Sequence, residues 1–255
     1  MSISSAILLN DLVVERGNRT VLAGGAVACA AGTVVLCTGP NGVGKTTLLE
    51  VLAGLLPVSE GTVMLDGTPT DPTSAAWRAR VAFCPSDGGT IALLTAVEQL
   101  RLMLELGGVV GREADSRVDH LVAVFDLHGV TNTRANIMST GTRKRLGLAL
   151  VTALRVPIVL LDEPSAGLDL DGISVLRQTI LAFQGTESTV IVTSHTLALF
   201  ADLADAFWRL EPGNEGARLV AASAGTANAA ATATVTTTPA VAQLPSLEFP
   251  WLRRS

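Results

Sequence analysis

Lysine is nearly absent from this chain of 255 residues: Lys45 and Lys144 are the only two. Tyrosine is missing altogether, and the first aromatic residue is Trp77. Charged residues make up 16% of the chain and the net charge is −5, which argues against a nucleic-acid binder held by phosphate contacts. Cysteine is sparse and odd in number (Cys29, Cys37, Cys84). None forms a C-x-x-C pair, and buried thiols in a reducing cytosol are expected. Apolar residues reach 48%, yet no run of about eighteen reads as a membrane span: Val21 to Cys37 is broken by glycines, and Leu146 to Leu161 carries Arg155 and Pro157. Met1-Ser2-Ile3-Ser4-Ser5 lacks the basic region and apolar core of a signal peptide, so the chain is expected to stay in the cytosol. No sustained heptad pattern reads as a coiled coil.

What is present starts from one of those two lysines. Lys45 lies in Gly39-Pro40-Asn41-Gly42-Val43-Gly44-Lys45-Thr46-Thr47, a match to the phosphate-loop pattern G-x-x-x-x-G-K-[ST], whose backbone amides cradle phosphates. In a chain that otherwise uses arginine, a retained lysine points to a site that needs a compact point charge rather than a planar fork. The flanks fit. Thr33 to Cys37 is a continuous apolar run with β-branched residues, as a buried parallel strand requires, and Thr46 to Ala53 reads as a helix ended by Gly54.

Further strands are expected at Ile7–Leu9, Leu12–Val14, Val21–Ala28, Gly61–Asp66, Val81–Cys84, Pro157–Leu161 and Thr189–Thr193, with a helical stretch from about Leu94 to Leu154. Within that stretch Val118, Leu121, Val122 and Phe125 share one helical face, with Arg117 and Asp119 outside it. His120 and His128 are assigned to its surface. The alternation implies an α/β layer fold with the helical stretch inserted between two halves of the sheet. From Ala221 to Ala242 the chain is nearly all Ala, Thr and Ser, a composition that cannot bury enough surface to order itself. It ends in the apolar, aromatic tip Leu244-Pro245-Ser246-Leu247-Glu248-Phe249-Pro250-Trp251-Leu252 before Arg253-Arg254-Ser255. That tip reads either as a docking peptide or as a stray tail.

Three further elements carry chemistry. Ile158 to Leu161 is a buried strand ending in Asp162-Glu163. Carboxylates at the C-terminal end of such a strand can face a phosphate loop, Asp162 to hold Mg²⁺ and Glu163 to polarise a water. Thr189 to Thr193 ends in Ser194-His195, which puts His195 on a third converging strand end as a γ-phosphate contact. Met138-Ser139-Thr140-Gly141-Thr142-Arg143 precedes an amphipathic helix, with Ser139 or Thr140 as its cap and its free amides as an anion site; an ordinary capped helix is the alternative.

In this order, over roughly residues 5 to 220, the four elements resemble the nucleotide-binding domain of ATP-binding cassette (ABC) transporters. Gly39 to Thr47 looks like Walker A, and Leu160-Leu161-Asp162-Glu163-Pro164 like Walker B with its catalytic glutamate. Ser165-Ala166-Gly167-Leu168-Asp169 looks like the D-loop, His195 like the switch histidine, and Ser139-Thr140-Gly141-Thr142-Arg143 stands at the signature motif. The resemblance implies a P-loop core of mainly parallel sheet with N-terminal antiparallel strands in residues 1–220, a helical subdomain at about 87–150 and a disordered tail at 221–255. It implies ATP and Mg²⁺ as ligands. Lys45 would contact the β- and γ-phosphates, Thr46 and Asp162 would ligate the metal, and Glu163 would be general base. Ser139 and Gly141 would reach the γ-phosphate of the ATP held by a second nucleotide-binding domain, a copy or a paralogue, in a head-to-tail dimer, and Asp169 of the D-loop would join the nucleotide-binding residues. A separate transmembrane permease would be moved at the cytoplasmic face of the membrane.

The chain departs from that pattern at three places. Arg16 stands where the family stacks adenine on an aromatic residue; a guanidinium plane can also stack on a base, which implies loose base selectivity. Ser86 replaces the Q-loop glutamine and would reach Mg²⁺ only through water. Thr140 and Thr142 replace Gly and Gln in the signature, a form similar to exporter-type cassettes, multidrug exporters among them. Arg16 is similar to the haem-exporter ATPases of cytochrome c maturation, whose signature differs from this one. Export is the expected direction. The competing reading is a non-transport or regulatory ABC ATPase that binds ATP with weak or no turnover.

Overall fold

The computed structural model describes residues 5–184, 186, 188–223 and 247–252; most of the Ala/Thr-rich run lies outside them. Among the described residues the chain forms two compact units. The first comprises 5–83, 156–163 and 183–223, and the second 84–155, 164–182 and 247–252.

The first unit is built on one sheet. In chain order its elements are β1 (Ser5–Arg16), β2 (Arg19–Ala30), β3 (Val34–Thr38), α1 (Lys45–Leu52), β4 (Glu60–Leu65), β5 (Thr68–Pro69), α2 (Ala75–Arg78), β6 (Val81–Cys84) as far as residue 83, β7 (Ile158–Asp162), β8 (Thr189–Thr193), β9 (Ala206–Glu211) and β10 (Ala217–Ala222). The strand order is β5-β4-β1-β2-β10-β9-β3-β8-β7-β6. Strands β9, β3, β8 and β7 pair in parallel, whereas β1 runs antiparallel to β2 and β4. Every residue of β3, β7 and β8 is buried. That is why their sequences are continuous apolar runs rather than alternating ones. Leu48, Leu49, Val51 and Leu52 of α1 pack into the same core as Val35, Cys37, Leu160 and Trp77. The Trp77 indole N–H donates to the Leu52 carbonyl at 2.6 Å, satisfying one of the acceptors that a helix C-terminus leaves open.

The second unit holds α3 (Ala96–Leu106), α4 (Gly111–Val124), α5 (Thr140–Thr152) and α6 (Leu170–Gln184) as far as residue 182. Helix α3 opens with a capping box in which Glu98 N–H donates to Thr95 and Thr95 N–H to Glu98. Val118, Leu121, Val122 and Phe125 are all buried, as their spacing predicts. Arg117 and His120 differ from expectation: both are half-buried rather than plain surface residues, and both meet the C-terminal residues described below.

Two expected strands, Ile7–Leu9 and Leu12–Val14, are one strand, β1, with an irregularity between Asn10 and Val13 against β4. Asp11 sits there at φ +47° and accepts from Gly25 N–H at 3.3 Å, a bulge that bends the strand without ending it. Strands β9 and β10 and helix α6 have no counterpart in the sequence reading. Residues Ala221–Ala222 close β10 although their composition merges with the tail.

Parallel pairing of β10 with β2 requires a close backbone approach at Gly25, which lies at φ +100°. A Cβ there would stand 2.0 Å from the Leu219 carbonyl oxygen. Gly25→Ala is therefore expected to destabilise the chain by roughly 2 kcal/mol or more, read as a lowered midpoint in urea unfolding.

Candidate functional site

The phosphate loop leaves β3 at Thr38 and enters α1 at Lys45. Its shape depends on glycine at two positions. Gly39 lies at φ +150° and a Cβ on it would meet the Leu210 carbonyl at 2.8 Å; Gly44, at φ +117°, would press on Val21 and Leu22. Gly44 is also the N-cap of α1 and has no side chain with which to cap it. The first-turn amides of α1 are left for an anion instead. Lys45 is 7% exposed. Its ammonium folds back to donate to the carbonyls of Gly39 at 2.9 Å and Pro40 at 3.3 Å.

The adjacent strand ends bring the acids to it. Thr46 Oγ1 donates to Asp162 Oδ2 at 2.8 Å, and Thr193 Oγ1 donates to Asp162 Oδ1 at 2.7 Å. Asp162 is 1% exposed, and the two hydroxyls fix its carboxylate plane. Thr193 Oγ1 also accepts from Glu163 N–H at 3.0 Å. Glu163 takes φ +44°, a strained conformation for a non-glycine residue. Its Oε1 lies 3.7 Å from Lys45 Nζ, and its Oε2 lies 2.7 Å from His195 Nδ1. The His195 backbone N–H donates to the same oxygen at 3.3 Å. The site thus gathers Lys45, Thr46, Asp162, Glu163 and His195 from three parallel strand ends. Thr193 is the member that the sequence reading missed. Its signal is the register: Asp162 and Thr193 are partners across β7 and β8, as aligning the ends of the two apolar runs gives.

The thiols stay out of this chemistry. Burial pushes Cys37, just before the loop, up to about 12, against the nearby Lys45 ammonium and with the Asp162 carboxylate adding to the rise. Burial likewise raises Cys29 to about 11. Neither is a thiolate at neutral pH.

Beside the loop lies a cleft of about 1340 Å³, lined by Asn41, Lys45 and Thr46, by Arg16 and Asn18, and by the segment from Pro212 to Gly216. Arg16 is exposed at the end of β1 and its guanidinium pairs with Glu50 of α1. Asn18 and the Pro212–Gly216 segment carry no motif and escaped the sequence reading.

The remaining expected residues lie in the second unit. Ser139 caps α5, its Oγ accepting from Thr142 N–H at 3.1 Å, and Gly141 follows in the first turn. Asp169 accepts twice from Arg145, at 2.7 and 2.9 Å, and once from Gly172 N–H at 2.8 Å. These bonds, the Arg145 ones first, hold its carboxyl below the usual carboxylate range. Ser86 is exposed in the turn after β6, and Lys144 is buried.

The donor set fits a hard divalent cation. Thr46 and Asp162 supply oxygen alone, the preference of Mg²⁺. Among the described residues no group of three or more His, Cys, Asp and Glu side chains can hold a metal by itself. A metal here needs oxygens from a phosphate ligand as well, which is how Mg²⁺ is ordinarily held beside one or two carboxylates.

Comparison with known proteins gives a consistent result. The family model described as ABC transporter matches residues 22–166. The cytochrome c biogenesis ATP-binding export protein CcmA of Roseobacter denitrificans is 32% identical over 189 residues, covering 74% of this chain and 84% of that protein. The hemin import ATP-binding protein HmuV of Streptomyces coelicolor is 36% identical over 198 residues, covering 76% and 70%. Among solved structures, the dimeric post-hydrolysis state of the ATP-binding cassette MJ0796, bound to ADP and Pi, superposes with a TM-score of 0.70 at 24% identity, over 80% of this chain and 94% of that one. No helix among the described residues is long and apolar enough to cross a membrane.

Thr193→Val removes the hydroxyl that orients Asp162 and accepts from Glu163 while keeping nearly the same volume. Nucleotide hydrolysis, read as phosphate release, is expected to fall by about 10- to 100-fold in a chain that still melts cooperatively. Unchanged turnover would take Thr193 out of the site.

Proposed function

We propose, for a chain that belongs to the ABC transporter family, that this ATPase subunit drives export through a separate membrane permease. The observation that carries the reading is the convergence of Lys45, Thr46, Asp162, Glu163 and His195 within 2.7 to 3.7 Å of one another along a connected path. Such a set makes a phosphate cradle, a cation ligand pair and a carboxylate base together.

In this reading the loop amides from Asn41 to Thr47 and the Lys45 ammonium take the phosphates of ATP. The ammonium, already buried, exchanges its bonds to the Gly39 and Pro40 carbonyls for phosphate oxygens. Thr46 and Asp162 are the side chains that would hold Mg²⁺, with Ser86 a third candidate acting through water. When bound, the ion draws charge from the phosphate oxygens. Glu163 orients a water and accepts its proton as the oxygen bonds to the γ-phosphorus and the bond to the bridging oxygen of ADP breaks. His195 turns from Glu163 Oε2 to a γ-phosphate oxygen, which releases the carboxylate for that water. Glu163, held between Lys45 and His195, is thereby a base kept in reserve until a γ-phosphate engages both side chains.

Ser139, Gly141 and Asp169 serve the ATP of a second nucleotide-binding domain, a copy or a paralogue, in a head-to-tail dimer. The signature form from Ser139 to Arg143 favours export over import, while the relatives named above include both an export protein and an import protein. The cytoplasmic face of the membrane is where such a subunit meets both ATP and its permease. The cleft beside Arg16 receives the base, and guanidinium stacking in place of an aromatic ring gives it loose selectivity.

Glu163→Gln is expected to cut hydrolysis by about 10²- to 10⁴-fold and to accumulate an ATP-bound dimer on size exclusion; wild-type turnover in this variant would move the base elsewhere. Near-equal KM values for ATP and GTP are expected from steady-state kinetics, and strong preference for ATP would remove Arg16 from the base site. Co-purification of a polytopic membrane protein in stoichiometric amount tests the permease assignment. Recovery with a soluble partner instead would leave only the nucleotide chemistry standing.

A further inference from the structure

The last described residues, Leu247–Leu252, sit in the second unit against α4 and the end of α5. Phe249 and Leu252 are 2% and 1% exposed, a degree of burial a loose terminus does not reach. Polar contacts fix their register. The Trp251 indole N–H donates to the Thr152 carbonyl at 2.9 Å. The Glu248 carbonyl lies 2.7 Å from His120 Nε2; since a carbonyl only accepts, that nitrogen carries the hydrogen. The His120 ring meets Trp251 edge-on at 5.2 Å, and Phe125 stacks on Phe249 at 6.1 Å. The Arg117 guanidinium lies over the Trp251 ring at 5.2 Å, a favourable cation–π distance.

The seat is organised by bonds that do not involve the tip. Arg117 pairs with Glu113 one turn back and donates to the Ala153 carbonyl at 3.3 Å. Its charged plane is therefore fixed where an indole face can cover it. Thr152 ends α5, and its carbonyl is one of those a helix C-terminus leaves without an intrahelical donor. The tip supplies what this surface lacks: a ring N–H for the open carbonyl, an acceptor for His120, and apolar surface for Phe125. Pro250 opens a single 3₁₀ turn, Pro250–Leu252, in which Leu252 N–H donates to the Phe249 carbonyl at 2.9 Å; at the first position of such a turn the missing proline N–H costs nothing.

We propose that Leu247–Leu252 is a docking peptide and that the face made by Arg117, His120 and Phe125 with the Thr152 carbonyl is its receptor, an intramolecular clasp that caps α5. The clasp takes a short aromatic peptide of the pattern Phe-Pro-Trp-Leu, and its occupant is this chain's own C-terminal segment.

The test compares amide hydrogen exchange in the full chain, in Trp251→Ala, and in a chain ending at Ser246. Exchange in the last turn of α5 and in the second half of α4 is expected to rise about tenfold or more in both variants, with nucleotide binding retained as the check on folding. A synthetic peptide of residues 245–255, added to the shortened chain at up to about 1 mM, the effective-concentration range of a tethered segment, is expected to restore the protection saturably. The same peptide with Trp251→Ala is expected not to. Unchanged exchange on shortening, or failure of the peptide to restore protection, would overturn the proposal. Protection in the full chain that varies with protein concentration would also overturn it, because the seat would then be filled by a second copy.

Discussion

The hydrogen bond from Thr193 to Asp162 ties the site to the sheet. It exists because β7 and β8 pair in parallel and in a register that makes those two residues neighbours. A shift of that pairing by one residue would turn every side chain of the shifted strand to the other face of the sheet and part the two residues. Once Asp162 is fixed, Thr46 has an acceptor on one side. Glu163, which follows, is pinned through its own backbone N–H to the same threonine. The first turn of α1, the strand end and the base thus share one short chain of bonds, and α1 packs on β7 as a further consequence.

Much of this was legible in the sequence, for a physical reason. Buried parallel strands must be continuous apolar runs, and their ends must be where polar residues begin. Thr33–Cys37, Ile158–Leu161 and Thr189–Val192 were therefore readable as strands, and Lys45, Asp162, Glu163 and His195 as residues at or just beyond their ends. The membership of the family follows from the same residues. What escaped has equally physical causes. Strand β9 buries the adjacent Phe207 and Trp208 and then Leu210 beyond a charged Arg209, a pattern that is neither a continuous apolar run nor a clean alternation. Strand β10 ends in alanines that merge with the tail. Thr193 looked like one more β-branched residue because its role depends on pairing, a nonlocal fact. The bulge at Asp11 divided one strand into two apparent ones because a short polar break is also what a turn looks like.

The second unit gave up less to sequence reading. Apolar periodicity located the buried face of α4, yet Arg117 and His120, polar and off that face, looked solvent-facing. Their surroundings are supplied by residues more than a hundred positions away in the chain. No periodicity argument reaches that far. The helix concerned, α5, is held at both ends by side chains: by Ser139 at its start and by Trp251 and Arg117 on its last carbonyls. A helix whose own apolar pattern is weak gains its definition from those ends.

The two lysines that opened the sequence reading have a last consequence. Lys45 and Lys144 are both buried, at 7% and 4% exposure, and all three thiols are buried as well. Outside the cleft that Lys45 lines, the folded surface therefore offers electrophiles neither a side-chain amine nor a thiol. Acylation of Lys45 reports entry to that cleft, whereas an adduct on Lys144 or on a thiol reports that α5 or the core has opened, which makes covalent labelling at those positions a gauge of the molecule's local unfolding.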